Sequence, residues 1–207
     1  MAANRKSPAR RTPGRPRSAA SRSAILKAAY QLLCERGVPG FTVEGVAARA
    51  GAGKATIYRW WNHKGTLAIE AFLVAVVPRL DAARTSTSAI ADLRLQVHAT
   101  AGIYRGRVGQ LLRELLALGQ ADPETSRRLR SDFVLPRHHA ALATLRRAQE
   151  MGEISAAADL EVLVDALWGP IFHRLLVSHM SIDRRFIDRL LDLVLAGVVP
   201  KNQGSGL

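Results

Sequence analysis

Nine large apolar residues, Leu160, Leu163, Val164, Leu167, Trp168, Ile171, Phe172, Leu175 and Leu176, follow one another in alternating steps of three and one. That spacing keeps all of them on one face of a helix with 3.6 residues per turn. Phe186, Ile187, Leu190, Leu191, Val194, Leu195 and Val198 repeat the pattern, as do Ile25, Leu26, Ala29, Leu32 and Leu33. Stripes of this kind are hidden by stacking helix on helix. No segment reads convincingly as a strand, and the expectation is an all-α fold of about nine helices.

Local signals divide the chain further. A first helix from Ser21 should stop at Gly37, ahead of Pro39. Thr42 is placed to cap a short helix through Val43, Val46 and Ala47 that ends at Gly51 and Gly53. A second short helix from Lys54 to about Trp61 follows after a turn of roughly four residues, the spacing of a helix-turn-helix. From Lys64, Leu67, Ile69, Phe72, Leu73, Val76 and Val77 give a helix apolar nearly all round, running to Pro78 and buried between two modules. Asp122-Pro123-Glu124 starts a helix that should bend at Pro136 and end near Gly152, and Pro170 should kink the next one.

Charge separates the modules. The chain of 207 residues carries a net charge of +13. Residues 1 to 22 hold seven basic and no acidic side chains, residues 23 to 80 seven against three, and residues 81 to 207 sixteen against fourteen. The positive N-terminal part is suited to a polyanionic partner, and the nearly neutral remainder is not. A single cysteine, Cys34, excludes an internal disulfide framework, suits a reducing cytoplasm and is expected as a buried structural thiol. The richest apolar run, Leu67 to Val77, contains Glu70, so no membrane span is expected. The basic start is not followed by the apolar run of a secretion signal, and the chain is read as mature.

The segment GVPGFTVEGVAARAGAGKATIYRWWNHKGTL, residues 37 to 67, resembles the helix-turn-helix of the tetracycline-repressor (TetR) family through Gly37, Phe41-Thr42-Val43, Val46-Ala47, Ala50-Gly51, Lys54 to Tyr58, Trp61, Lys64 and Leu67. The resemblance spans about residues 20 to 80. More loosely, GPIFHRLLVSH and FIDRLLDLVLAG are similar to the last two helices of the dimerising domain. The family implies an all-helical homodimer that represses transcription and leaves a palindromic double-stranded operator when a small-molecule effector occupies the C-terminal domain. The chain then divides into a disordered basic tail (1–20), a DNA-binding domain (21–80), an effector-binding and dimerisation domain (81–199) and a frayed end (200–207).

In a helix-turn-helix the second helix enters the major groove and flanking groups grip phosphate. Lys54, Ala55, Thr56 and Arg59 are the groove-facing candidates, with Trp60 beside them. Thr42, Tyr58 and Lys64 match positions the family uses on the DNA backbone, and Arg49 is near enough in sequence to reach a phosphate. Val46 and Ile57 should point inward. Two departures from the family pattern are Gly53, where Ser or Thr is usual, and His63, where Ser is common. Arg15 and Arg17, within Gly14-Arg15-Pro16-Arg17, resemble an AT-hook core; a disordered tail adding only salt-dependent affinity is the competing reading.

Six histidines offer no metal spacing, since His138 and His139 are adjacent and His173 and His179 lie six apart. No nucleophile elbow, phosphate loop or dinucleotide fingerprint is present, so neither an enzyme nor a cofactor is expected. The effector pocket is expected among the helices starting near Ile90, Val108, Asp122 and Leu160, opened by bends at Pro136 and Gly169-Pro170. Its candidate walls are Tyr104, Phe133 and Trp168, with His98 and His173 as polar anchors for a largely apolar ligand. Leu167, Ile171, Leu175, Phe186, Leu190, Leu191 and Val194 are candidates for a four-helix dimer interface, although such stripes also serve as core. The rival reading is an architectural DNA-binding protein with no effector.

Overall fold

The computed structural model describes residues 19–80 and 86–200. Ten α-helical segments and one π turn account for the architecture, with no strand among the described residues. In order they are α1 (Ala19–Arg36), α2 (Val43–Ala50), α3 (Lys54–Tyr58), α4 (Lys64–Leu80), α5 (Ala89–Ile103), α6 (Arg107–Ala121), α7 (Pro123–Leu129), the π turn (Arg130–Val134), α8 (Leu135–Glu150), α9 (Leu160–Val177) and α10 (Arg184–Ala196). Because α7, the π turn and α8 follow without a break, the described residues form nine helical rods. Arg15 and Arg17 lie outside the described residues.

The caps explain most boundaries. The Thr42 hydroxyl accepts the Gly45 N–H, and Gly51, at φ 59°, closes α2 in the left-handed conformation that glycine adopts without penalty. Ser88, Asp122, Asp159 and Asp183 accept backbone N–H groups at the starts of α5, α7, α9 and α10. Two boundaries differ from expectation. The α3 helix stops at Tyr58 rather than Trp61, because Trp60 and Trp61 both bond the Ile57 carbonyl and the tightened turn carries Trp61 into the core. The α4 helix continues past Pro78 to Leu80, whose side chain is buried.

The expected bend at Pro136 also moves. The irregularity lies just upstream in the π turn, which contains Asp132, the residue whose carbonyl the Pro136 ring would otherwise crowd. The wider turn absorbs the proline, and Pro136 then sits inside the first turn of α8. The α9 helix runs through Pro170 unbroken.

One apolar core extends from Ile25 to Leu195 and crosses the expected division at residue 80. At its centre is α4, which packs against α1, α5, α6 and α7 and buries ten of its residues. Cys34 is half-buried beside Tyr30 rather than fully enclosed.

Candidate nucleic-acid interface and ligand cavity

The α2–turn–α3 unit stands on Val46, Ile57 and Trp61, at 0%, 1% and 2% exposure. That anchoring leaves Lys54, Ala55, Tyr58 and Arg59 on the surface, with Thr56 half-buried at its edge. Thr42 and Lys64 are exposed at the two flanks. Capping uses only the acceptor side of the Thr42 hydroxyl, so its proton remains available to a phosphate. Gly53 starts α3 with no side-chain hydrogen bond.

Three of the sequence candidates have other partners. Arg49 forms a forked pair with Glu35 on α1, at 2.7 and 2.6 Å, which holds the Glu35 carboxyl below its ordinary range through that hydrogen bond. Lys54 lies 3.2 Å from Glu44. Trp60 is half-buried under Arg22, whose guanidinium lies 5.6 Å from the ring centroid. Helix spacing alone gave no sign of these pairs, since Glu35 and Glu44 stand on other elements.

The residue that sequence reasoning passed over is Glu70. Its side chain is 14% exposed and pairs with Arg22 of α1. It also accepts the Trp61 indole N–H at 2.9 Å and lies 3.8 Å from Arg128 of α7. One carboxylate therefore joins the start of α1, the end of the reading unit and α7. His63, the family-atypical residue, faces Asp122 at 3.8 Å instead of the open surface. On the other side, Glu114 of α6 accepts the Val38 N–H at 2.7 Å and Arg107 donates to the Leu33 carbonyl at 2.9 Å.

Beyond α4, helices α5, α8 and α9 and the π turn enclose a cavity of about 290 Å³. Tyr104, Phe133 and Trp168 line it, and so do Thr100, Arg137, His138, Val164, Asp165 and Phe172, which were not among the pocket candidates. The indole N–H of Trp168 is buried and has no hydrogen-bond partner among the described residues. Burial pushes the Tyr104 phenol well above its ordinary range. His98 and His173 are not in the wall. His98 is 2.7 Å from Asp188, and His173 is exposed with its ring centroid 4.8 Å from that of His179. No cluster of three or more potential metal-ligating side chains occurs among the described residues.

The candidate dimer residues divide by depth. Leu167, Ile171, Leu175, Leu190 and Leu191 are buried within the protomer, and Phe186 and Val194 are half-buried. The apolar residues facing outward from α9, α10 and their connection are Val162, Leu176, Val177, Met180 and Leu193, the last 77% exposed. The stripe read as a seam is thus mainly core, because α9 and α10 turn their most regular faces toward α5, α6, α8 and each other.

Comparison with known proteins agrees with this geometry. Residues 25–71 match the model described as bacterial regulatory proteins, tetR family, and residues 85–194 match the tetracyclin repressor-like C-terminal domain. This chain belongs to the TetR family of transcriptional regulators. It is 35% identical to the HTH-type transcriptional regulator YdeS of Bacillus subtilis over 89% of this chain and 93% of that protein. It is 32% identical to the DNA-binding transcriptional repressor TetR of Mycobacteroides abscessus over 84% and 90% of the two chains. The crystal structure of the TetR family transcription regulator SCO0332 superposes with a TM-score of 0.75 at 35% identity, over 87% of this chain and 99% of the other. As a TetR-family member it is a DNA-binding regulator, and no described helix is long and apolar enough to cross a membrane.

Glu70→Ala is expected to lower stability by about 1–3 kcal/mol, because it leaves the buried Trp61 N–H without its acceptor. The same change should reduce DNA affinity by loosening the reading unit. A thermal melt and a DNA-binding titration on this variant check both; unchanged values would show that Glu70 does not organise the head.

Proposed function

We propose that this TetR-family regulator is a cytoplasmic homodimeric repressor released from a palindromic operator when a small, largely apolar effector fills the cavity beside Trp168. One observation carries the reading: Phe133, in the cavity wall, belongs to the π turn that continues directly from α7. The start of α7 meets the DNA head at Asp122 and His63, and its last turn meets Glu70 through Arg128. A ligand that displaces Phe133 therefore acts on the helix supporting the reading unit. It lowers operator affinity by the extent to which it binds the displaced form more tightly. The relative from Mycobacteroides abscessus, named as a repressor, supports the direction of control.

The cavity wall defines the ligand. Its surface is mostly aromatic and aliphatic, with the Trp168 N–H, the Tyr104 and Thr100 hydroxyls and the side chains of Arg137, His138 and Asp165 as polar groups. A ligand with an apolar body and at least one hydrogen-bond acceptor fits this set. Screening apolar metabolites and antibiotics for operator release and raised melting temperature tests the proposal. Trp168→Ala should abolish the response while leaving DNA binding intact; a regulator that no such compound releases would favour the architectural reading.

For DNA, Lys54, Ala55, Thr56 and Arg59 are proposed to read bases, while Thr42, Tyr58 and Lys64 hold phosphates. Arg49 joins the phosphate contacts only by exchanging Glu35 for DNA, a low-cost exchange for a surface pair. Tyr58→Phe and Lys64→Ala should weaken binding to all sequences alike, whereas Arg59→Ala should cost about 1–3 kcal/mol on the preferred operator and flatten its preference. Competition titrations against variant operators distinguish these outcomes.

The dimer is proposed to form through the outward row of α9 and α10 centred on Leu193, with half-buried Phe186 and Val194 at its border. A two-fold pair doubles the contacts of one short reading helix on a palindrome. Leu193→Asp should give folded monomers by light scattering and circular dichroism, and a dimer of unchanged stability would move the interface elsewhere.

A further inference from the structure

We propose that Arg105, Arg113 and Arg174 form a second binding site, for a phosphate or carboxylate group, and that it receives the anionic end of the ligand whose apolar part fills the central cavity. The turn between α5 and α6, the first half of α6, the end of α9 and the connection to α10 border an open surface hollow of about 250 Å³. Its wall brings together these three arginines with Ser178 and Ser181. None of the three guanidinium groups makes an ion pair among the described residues, although Arg22, Arg49, Arg94, Arg128 and Arg147 all do.

Two of the three are held by uncharged acceptors. Arg113 donates to the Ser178 hydroxyl and, at 3.4 Å, to the Leu175 carbonyl. Arg174 donates to the Ser181 carbonyl at 2.7 Å, and its guanidinium lies 3.5 Å from the Phe186 ring centroid. These contacts fix the orientation of both groups without neutralising them, and each retains further N–H donors. Two carboxylates stand near the three arginines in sequence: Glu114, next to Arg113, accepts instead from the Val38 N–H and the Gln110 amide, and Asp183 lies two residues beyond Ser181. The Asp183 carboxyl is held low chiefly by the Phe186 backbone N–H, with Arg174 a lesser cause and no ion pair formed. Three like charges lining one small hollow repel one another, so an anion that enters relieves repulsion and gains forked hydrogen bonds. Arginine presents its donors in the planar arrangement that phosphate and carboxylate oxygens match.

Tyr104 belongs to the walls of both hollows. Along α9, Phe172 faces the apolar cavity and packs on Tyr104 with ring centroids 5.9 Å apart, while Arg174 and Leu175 line the cationic one. The two spaces thus succeed each other along one helix with Tyr104 between them. An amphipathic anion, with an alkyl or aryl body and a phosphate or carboxylate head, matches that sequence of surfaces. The existence of the anion site is independent of the effector reading; its use by the same ligand rests on that reading.

The test uses the full chain and three probes, sodium pyrophosphate, dodecanol and dodecyl phosphate, at constant ionic strength, with calorimetric titration and thermal melts. Pyrophosphate should stabilise the protein saturably, and its affinity should fall roughly tenfold in Arg105→Ala and in Arg113→Lys, which removes the fork but keeps the charge. Arg105 is exposed, so its variant should melt with the unliganded wild type. Dodecyl phosphate should bind more tightly than either other probe, and Trp168→Ala should weaken both dodecyl compounds without affecting pyrophosphate. Absent or variant-insensitive pyrophosphate binding overturns the anion site, whatever dodecanol does. Loss of dodecanol binding alone counts against the cavity reading. Dodecyl phosphate that binds no better than its stronger half overturns the shared ligand.

Discussion

A carboxylate largely removed from water must find cationic or N–H partners, and the Glu70 side chain, on the mainly buried α4, finds them on α1, on the turn after α3 and on α7. Apolar packing by itself lets helices slide and rotate over one another with little change in buried area. A directional contact to Arg22, Trp61 and Arg128 selects one arrangement among those. The helix-turn-helix, α1 and the short α7 are therefore positioned by reference to the same carboxylate. The contact with α7 and the contact with Trp61, just after α3, are thus made by one side chain.

This arrangement explains why the two halves share a continuous core. A loosely tethered head would leave ligand binding and DNA binding independent. Here Gly65 of α4 lies so close to Thr125 of α7 that an added side chain would collide with the threonine hydroxyl. Close approach of this kind makes a helix pair respond as a unit. The π turn continues directly from α7. It departs from α geometry where Phe133 meets the cavity, so the one irregular stretch of backbone in the α7–α8 rod adjoins the cavity wall.

Electrostatics has a similar division of labour. On the helix-turn-helix, Glu35 and Glu44 partly neutralise Arg49 and Lys54 through surface pairs, a class of interaction that is weak. Such pairs keep a basic surface ordered without committing it. At the far end, the hollow around Arg113 and Arg174 orders its cations through hydroxyl and carbonyl groups, which leave the charge in place.

Helix content, most caps and the helix-turn-helix were legible in the residues, because each depends on spacing within a few positions. Thr42, Gly51 and the Asp122-Pro123 start act on their own backbone, and the apolar stripes report a 3.6-residue repeat wherever the helix is placed. The exposed surface of α3 followed as well, since Val46 and Ile57 can bury only one way. What a repeat cannot encode is which neighbour each face meets. Spacing alone puts Leu191 and Leu193 on opposite faces of α10; that the Leu191 face meets α5 and α9, leaving Leu193 77% exposed, was decided by packing. The same holds for the histidines, where His98 is drawn to Asp188 and His138 enters the cavity wall, and for Arg49, Trp60 and Glu70, whose partners lie on other helices. Local spacing determined the helices and the DNA-reading motif; the contacts made after the helices packed decided the cavity, the cationic hollow and the surface left for a second copy.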